Sequence, residues 1–234
     1  MAPLVLLVAL LAGAKIVIQD LRDCSARKGV IGRFLCRVDL HLIHSVDERN
    51  EEGDTLLMQA FYNIPSVPAN PQRDARALET AAWLIAEGVD VQAVNLKGRS
   101  LLIDAVVAYD LPLVRFLISQ GADPHAKGTG EFATLSAALL ADKLSEFNVR
   151  VARGLLACDE AALKPPSPEG MSEGLASILS YQHMRTASLV ANILKKSSSW
   201  SECQPLSPEE TERIMTAALP VLSLAELRSA LSAR

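Results

Sequence analysis

An eight-residue frame occurs twice in this chain and constrains its fold more than any other feature. Gly53-Asp-Thr-Leu-Leu-Met-Gln-Ala60 and Gly98-Arg-Ser-Leu-Leu-Ile-Asp-Ala105 share, in register, a glycine, a hydroxyl residue two positions on, two leucines and an alanine. Apolar residues at helical spacing follow each copy, and then a second glycine signature, Gly88-Val-Asp90 or Gly121-Ala-Asp123. A short helical unit of this kind cannot hide its apolar face by itself, so neighbouring copies must stack. What else the chain contains has to be compatible with that stack.

Composition agrees with helices packed through small side chains. Half of the 234 residues are apolar but only 4% are aromatic, so the core is built from Leu, Ala, Val and Ile. That mixture favours helix-on-helix packing over a sheet sandwich. A net charge of −4 with mixed signs gives no electrostatic footprint for nucleic acid.

The two frames resemble the ankyrin repeat, which reads G-x-T-P-L-H-x-A, two helices, then G-A-D. The resemblance is most specific over 50–127, where both frames and both glycine-aspartate fingers lie in register. It implies an all-α ankyrin-repeat solenoid of helix pairs with degenerate N- and C-terminal capping helices. Thr55 matches the family Thr that bonds across the turn to fix the start of the first helix. Leu56 and Met58 stand where the family has Pro and His, which marks a divergent array. The two frames are 45 residues apart rather than roughly 33, and the excess falls in a proline-rich insertion at 62–75 containing Pro65, Pro68 and Pro71. A second helix is expected from about Arg76 to Glu87. In the second repeat the core candidates are Val106, Val107, Leu113, Val114, Phe116 and Leu117.

A third unit is expected from the offset Gly130 to Ala137, with Phe132, Leu135 and Leu139 in its first helix and Val149, Val151, Leu155 and Leu156 in its second. The whole then divides into an N-terminal capping repeat at 20–49, repeats over 50–166, and a C-terminal helical repeat and cap over 167–234. Within that last segment the periodicity predicts helices over Met171–Lys195 and Pro208–Arg234, the latter started by Ser207, Pro208 and Glu210. Ser197–Glu202 reads as a polar linker.

The first fourteen residues are apolar and end in Ala12-Gly13-Ala14, like the hydrophobic region and cleavage site of a secretory signal peptide. No basic residue precedes them, so an uncleaved membrane anchor and an apolar first helix of the solenoid remain open alternatives. Export would place the chain in the periplasm or on the outer face of a membrane, and a membrane-anchored or cytoplasmic location follows from the other two readings. Four cysteines, Cys24, Cys36, Cys158 and Cys203, suit an oxidising compartment and allow three disulfide connectivities; pairing Cys24 with Cys36 and Cys158 with Cys203 closes the shortest loops. Four reduced core cysteines are the alternative. None of the six asparagines sits in a glycosylation sequon.

No catalytic constellation emerges. His41 and His44 share a helical face but no third ligand accompanies them, and zinc needs three or four. His125 lies in a finger, where a hydrogen-bonding role is the default. Nucleophile elbow, zincin, P-loop and dinucleotide motifs are missing, so no cofactor and no metal are expected. The carboxylates Glu51, Glu52 and Asp54 sit at a finger tip, where water screens them.

Binding is what the resemblance implies. In ankyrin folds the fingers and inner helices line the docking face. Carried over by motif, those positions are Glu51, Glu52, Asp54 and Tyr62 in the first frame, Leu96, Lys97, Arg99 and Tyr109 in the second, and Glu131 in the third. One finger is acidic and the next basic, an arrangement that steers a specific partner. The expectation is a non-enzymatic protein-binding chain. Its concrete version is an immunity or inhibitor protein that blocks a toxic effector enzyme in the periplasm; the alternative is an envelope adaptor or chaperone. An enzyme would need polar groups converging near Tyr181, His183 and Arg185 in the C-terminal helices.

Overall fold

The computed structural model describes residues 46–62, 71–167, 169–195, 200 and 203–233, and among these the chain is all-α, with isolated β-bridges in place of strands. The expected signal segment at 1–14, the expected capping repeat up to residue 45, Cys24, Cys36, His41, His44, the prolines Pro65 and Pro68 and most of the expected polar linker lie outside the described residues. The fold falls into two compact units, one containing 55–89 and the other 50–54 with 90–233.

In the first unit, α1 (Leu56–Tyr62) and α2 (Pro71–Ala86) pack on each other. Thr55 Oγ1 accepts the Met58 N–H at 3.3 Å and so satisfies one of the orphan donors at the start of α1. Leu57, Met58 and Ala60 of the first helix and Ala81 and Leu84 of the second are buried. Helix α2 starts earlier than its apolar periodicity predicts, because Pro71 takes the first helical position, where its missing N–H costs nothing. It stops as expected: Gly88 N–H bonds Ile85 O and Val89 N–H bonds Leu84 O, both at 3.0 Å.

In the second unit, α3 (Leu101–Ala108) begins in the same way, with Ser100 Oγ accepting the Ile103 N–H at 3.3 Å. It turns at Tyr109 into α4 (Leu111–Ser119), capped by Asp110, and the two helices pack together. Of the predicted core, Val106, Leu113, Val114 and Leu117 are buried, while Val107 and Phe116 are half-buried. Gly121 and Ala122 repeat the hydrogen bonds made by Gly88 and Val89.

The third repeat departs from the expected helix pair. A 3-10 turn over Gly130–Phe132 is followed by one continuous helix, α5 (Ala137–Leu156), so the first- and second-helix residues predicted there share a single rod or the turn before it. Its frame is set by Ser136, whose Oγ accepts the Leu139 N–H at 3.3 Å. Five residues beyond the caps Thr55, Ser100 and Ser136 come Ala60, Ala105 and Ala141, all buried; the equivalent alanine is thus Ala141 and not Ala137. Buried positions cover most of the circumference of α5, because helices surround it. These are α3, the short α6 (Glu160–Leu163), α7 (Glu173–Leu194), α8 (Pro208–Leu222) and α9 (Ala225–Ser232).

Where periodicity predicts one final helix there are two. The chain bends at Ser223–Leu224, with Leu224 at φ 50°. Ser145 of α5, itself buried, donates to Ser223 O at 2.6 Å and so satisfies a carbonyl that the bend strands. By length and composition alone Pro208–Ser232 could cross a membrane, yet Ile214, Met215, Ala218, Leu222, Leu227 and Leu231 are buried against the chain's own helices. Helix α9 lies against both α4 and α5, beside the second helix of the preceding repeat. Cys158 and Cys203 are bonded, with Cα atoms 5.7 Å apart, which ties the segment before α8 to the C-terminal end of α5. Trp200, half-buried, packs into the apolar clusters on both sides of that end.

Candidate functional site

Each finger is a short hairpin closed by one β-bridge: Arg49 with Thr55, Val94 with Ser100, and Lys127 with Ser136. The first two tips are built alike. Asn50 N–H bonds Asp54 O at 3.1 Å, as Asn95 N–H bonds Arg99 O at 3.0 Å; Gly53 N–H and Gly98 N–H return to the asparagine carbonyls, each at 2.9 Å. Both asparagine side chains accept the backbone N–H four residues on, from Asp54 at 2.8 Å and Arg99 at 3.1 Å. Matching the glycine frame alone passes over these asparagines, although each stands three residues before its glycine, a signal as regular as the hydroxyl residue after it.

The tips are joined to one another. Leu96 N–H donates to Glu52 O and Thr129 N–H to Gly98 O, both at 3.0 Å, so consecutive fingers share backbone hydrogen bonds. Asn95 Nδ2 donates to Asp54 Oδ1 at 2.9 Å, and Asn50 Nδ2 to Asp54 Oδ2 at 3.1 Å. Gln92 makes a further bridge, giving its amide to Gly121 O at 3.0 Å and taking the Asp123 N–H at 3.1 Å. Close approach demands glycine here. Gly53 and Gly98 have φ of 77° and 80°, and a Cβ on Gly98 would lie 1.7 Å from Thr129 O.

The nine residues expected to line the docking face divide by this geometry. Glu51, Glu52 and Lys97 are exposed at the tips, beside Leu96, which is 78% exposed. Asp54 is buried and spends both carboxylate oxygens on the two asparagines. Arg99 turns inward: its guanidinium lies 5.9 Å from the Phe132 ring centroid, and Nε stands 3.2 Å from Asp104 Oδ1 without aiming its N–H at that oxygen. Glu131 is exposed but caps α7, accepting the Gly174 N–H at 2.8 Å. Tyr62 ends α1, at the edge of the described residues.

Tyr109 takes part in a second group, built around α7. Its hydroxyl accepts a short hydrogen bond from buried Asn148 Nδ2, whose Oδ1 accepts from Thr186 Oγ1 at 3.2 Å. Burial pushes the Tyr109 phenol up to about 12; the Arg185 charge and the Asn148 bond pull the other way and do not offset it. Gln182, fully buried, donates to Val107 O at 2.8 Å. Arg185 stacks 4.3 Å from the Tyr109 ring centroid and donates from Nη1 to Ala108 O at 3.4 Å. His183 points the other way, into the interior, where Nε2 meets Ala162 O at 2.8 Å; a carbonyl only accepts, so that nitrogen carries the proton. Tyr181, His183 and Arg185 therefore do not converge. Among the described residues no group of three His, Cys, Asp or Glu is placed to hold a metal ion.

No protein-family model, curated protein or solved structure matches the chain.

Proposed function

We propose that the chain is a divergent ankyrin-type repeat protein that acts without catalysis, by gripping another protein with its finger tips. One observation carries this reading. The tips are cross-linked through Leu96 to Glu52 and Thr129 to Gly98, and yet Leu96 and Lys97 project from them into solvent. A large apolar side chain on a braced turn can enter a partner's pocket with little ordering to be lost, and the neighbouring charges fix register. In its concrete form the row of tips covers the active-site mouth of an effector enzyme and blocks it, as an immunity protein does. The Cys158–Cys203 bond and the signal-like apolar run at 1–14 support an oxidising, envelope-facing location.

The test begins with capture of the partner by the full chain and an assay of the partner's activity in the complex. Leu96→Ala combined with Lys97→Glu is expected to weaken binding by tenfold or more, equivalent to about 1.4 kcal/mol, and to leave the melting temperature unchanged. Arg99 is unsuitable for the same purpose because it packs on Phe132 and lies against Asp104. Unchanged affinity in the double variant removes the finger tips from the interface, and turnover of a substrate by the isolated chain removes the non-catalytic reading.

A further inference from the structure

Helix α7 shows one face to solvent along its whole length. Glu173, Ser177, Tyr181, Met184, Ser188 and Asn192 recur three or four residues apart and are all exposed. A surface helix ordinarily carries charge on such a face. Here no Asp or Glu occurs between Gly174 and Lys195, and Arg185 is the only Arg or Lys before Lys195. In their place stand Tyr181, 40% exposed, and Met184, 60% exposed. Tyr181, Met184 and the adjoining Arg185 are residue types enriched at protein–protein interfaces, so the middle turn of the face stands apart from Glu173, Ser177 and Ser188 on either side of it.

Arg185 gives that face its chemistry. Among the described residues no carboxylate pairs with it. Its guanidinium lies 4.3 Å from the Tyr109 ring centroid and 5.7 Å from that of Tyr181, and it donates a hydrogen bond to Ala108 O. Tyr109 is fixed from below by Asn148, so the stack is held before any ligand arrives. A guanidinium braced by stacking keeps most of its five N–H donors along its edge, in the fork that fits a carboxylate.

We propose that this stripe of α7 docks a peptide segment of a partner protein that presents an Asp or Glu carboxylate next to an apolar side chain. The carboxylate pairs with Arg185, and the apolar side chain lies on Met184 and Tyr181. The proposal rests on the reading that the chain works by binding protein, but it uses a surface separate from the finger tips.

Three pools of fluorescent 15-residue peptides test it against the full chain: random sequence around a fixed Leu-x-x-Glu, the same with Gln, and the same with Lys. The Glu pool is expected to bind at least tenfold more tightly than the Gln pool, and the Lys pool not at all. Met184→Glu, which places a carboxylate of the chain's own beside Arg185 at an exposed position, is expected to abolish binding; Arg185→Lys is expected to reduce it about tenfold. Equal binding of the three pools, binding of none, or indifference to Met184→Glu overturns the proposal. So does loss of peptide binding on Lys97→Glu, which would move the site to the fingers, or self-association that Met184→Glu abolishes, which would make the occupant a second copy. Capture of a partner through the fingers with no peptide binding sinks this surface alone, whereas catalytic turnover sinks the protein-binding reading and leaves the peptide result to be judged separately.

Discussion

From Val94 to Gly121 the chain builds a finger, a helix, a turn and a second helix that packs on the first. From Lys127 it again builds a finger and a capped helix, but that helix runs on for 20 residues, and its main neighbours come from farther along the chain. The two segments share their opening chemistry: a bridge, a hydroxyl N-cap and a buried alanine five residues later. What separates them is where the partner of the first helix is encoded. In the second repeat it is the next element; in the third, α9 reaches the place beside α4 only after α6, α7 and α8 have been laid down. Local rules thus set how a unit starts, and long-range packing sets how it is completed.

The sharpest way to break the comparison is at Gly98. Its positive φ and the 1.7 Å approach of Thr129 O leave no room for a side chain, since the obstacle is backbone. Gly98→Val is expected to cost about 4–5 kcal/mol in denaturant unfolding, the range of the most disruptive single substitutions. Gly121 has a φ of 93°, but nothing comes within 4 Å of where its Cβ would lie, so Gly121→Ala carries the conformational strain alone, about 1–2 kcal/mol. Equal costs at the two positions would mean that finger-on-finger contact is not what the first glycine serves.

A somewhat smaller effect is expected at the far end of α5. The Cys158–Cys203 bond closes a loop with a sequence separation of 45, for which chain entropy gives about 4 kcal/mol as an upper figure. Cys158→Ala with Cys203→Ala is expected to realise about 2–4 kcal/mol of that and to raise hydrogen exchange in α7, α8 and α9 before α3 and α4. Exchange that rises uniformly would show one cooperative block in the second unit and erase the distinction between locally and remotely completed repeats.

The sequence disclosed the fingers well, and for a physical reason. Glycines with positive φ, hydroxyl caps and the Gly-x-Asp stops act over four or five residues, so their spacing survives as a readable pattern in Gly53, Thr55, Gly98, Ser100 and Gly121. The single rod α5 was hidden because periodicity reports which face is apolar and is silent on which element covers it; Gly130 also offered a false frame for what Ser136 actually starts. The binding residues show the same limit. Offsets from the glycine located Glu51, Glu52 and Lys97 on exposed tips. They could not reveal that Asp54 is held by Asn95, 41 residues away, or that Arg99 and Tyr109 are taken up by Phe132 and Asn148.

The subtlest expected effect tests whether Tyr109, at the turn that completes the second repeat, is truly enclosed by the remotely packed α5 and α7. Its phenol is raised from 10.0 to about 12, chiefly by burial. The folded protein therefore keeps this proton after the unfolded chain has released it. Stability from this group is fully present below pH 10, declines as the pH rises from 10 to 12, and falls no further once the folded phenol ionises as well. At neutral pH it contributes no slope. Denaturant midpoints measured at steps between about pH 9 and 12 are expected to show this fall, and Tyr109→Phe is expected to flatten it, together with loss of the tyrosinate absorbance that emerges near pH 12. A variant with the same alkaline slope as the parent would mean that Tyr109 faces water, and that α5 and α7 do not close over the turn.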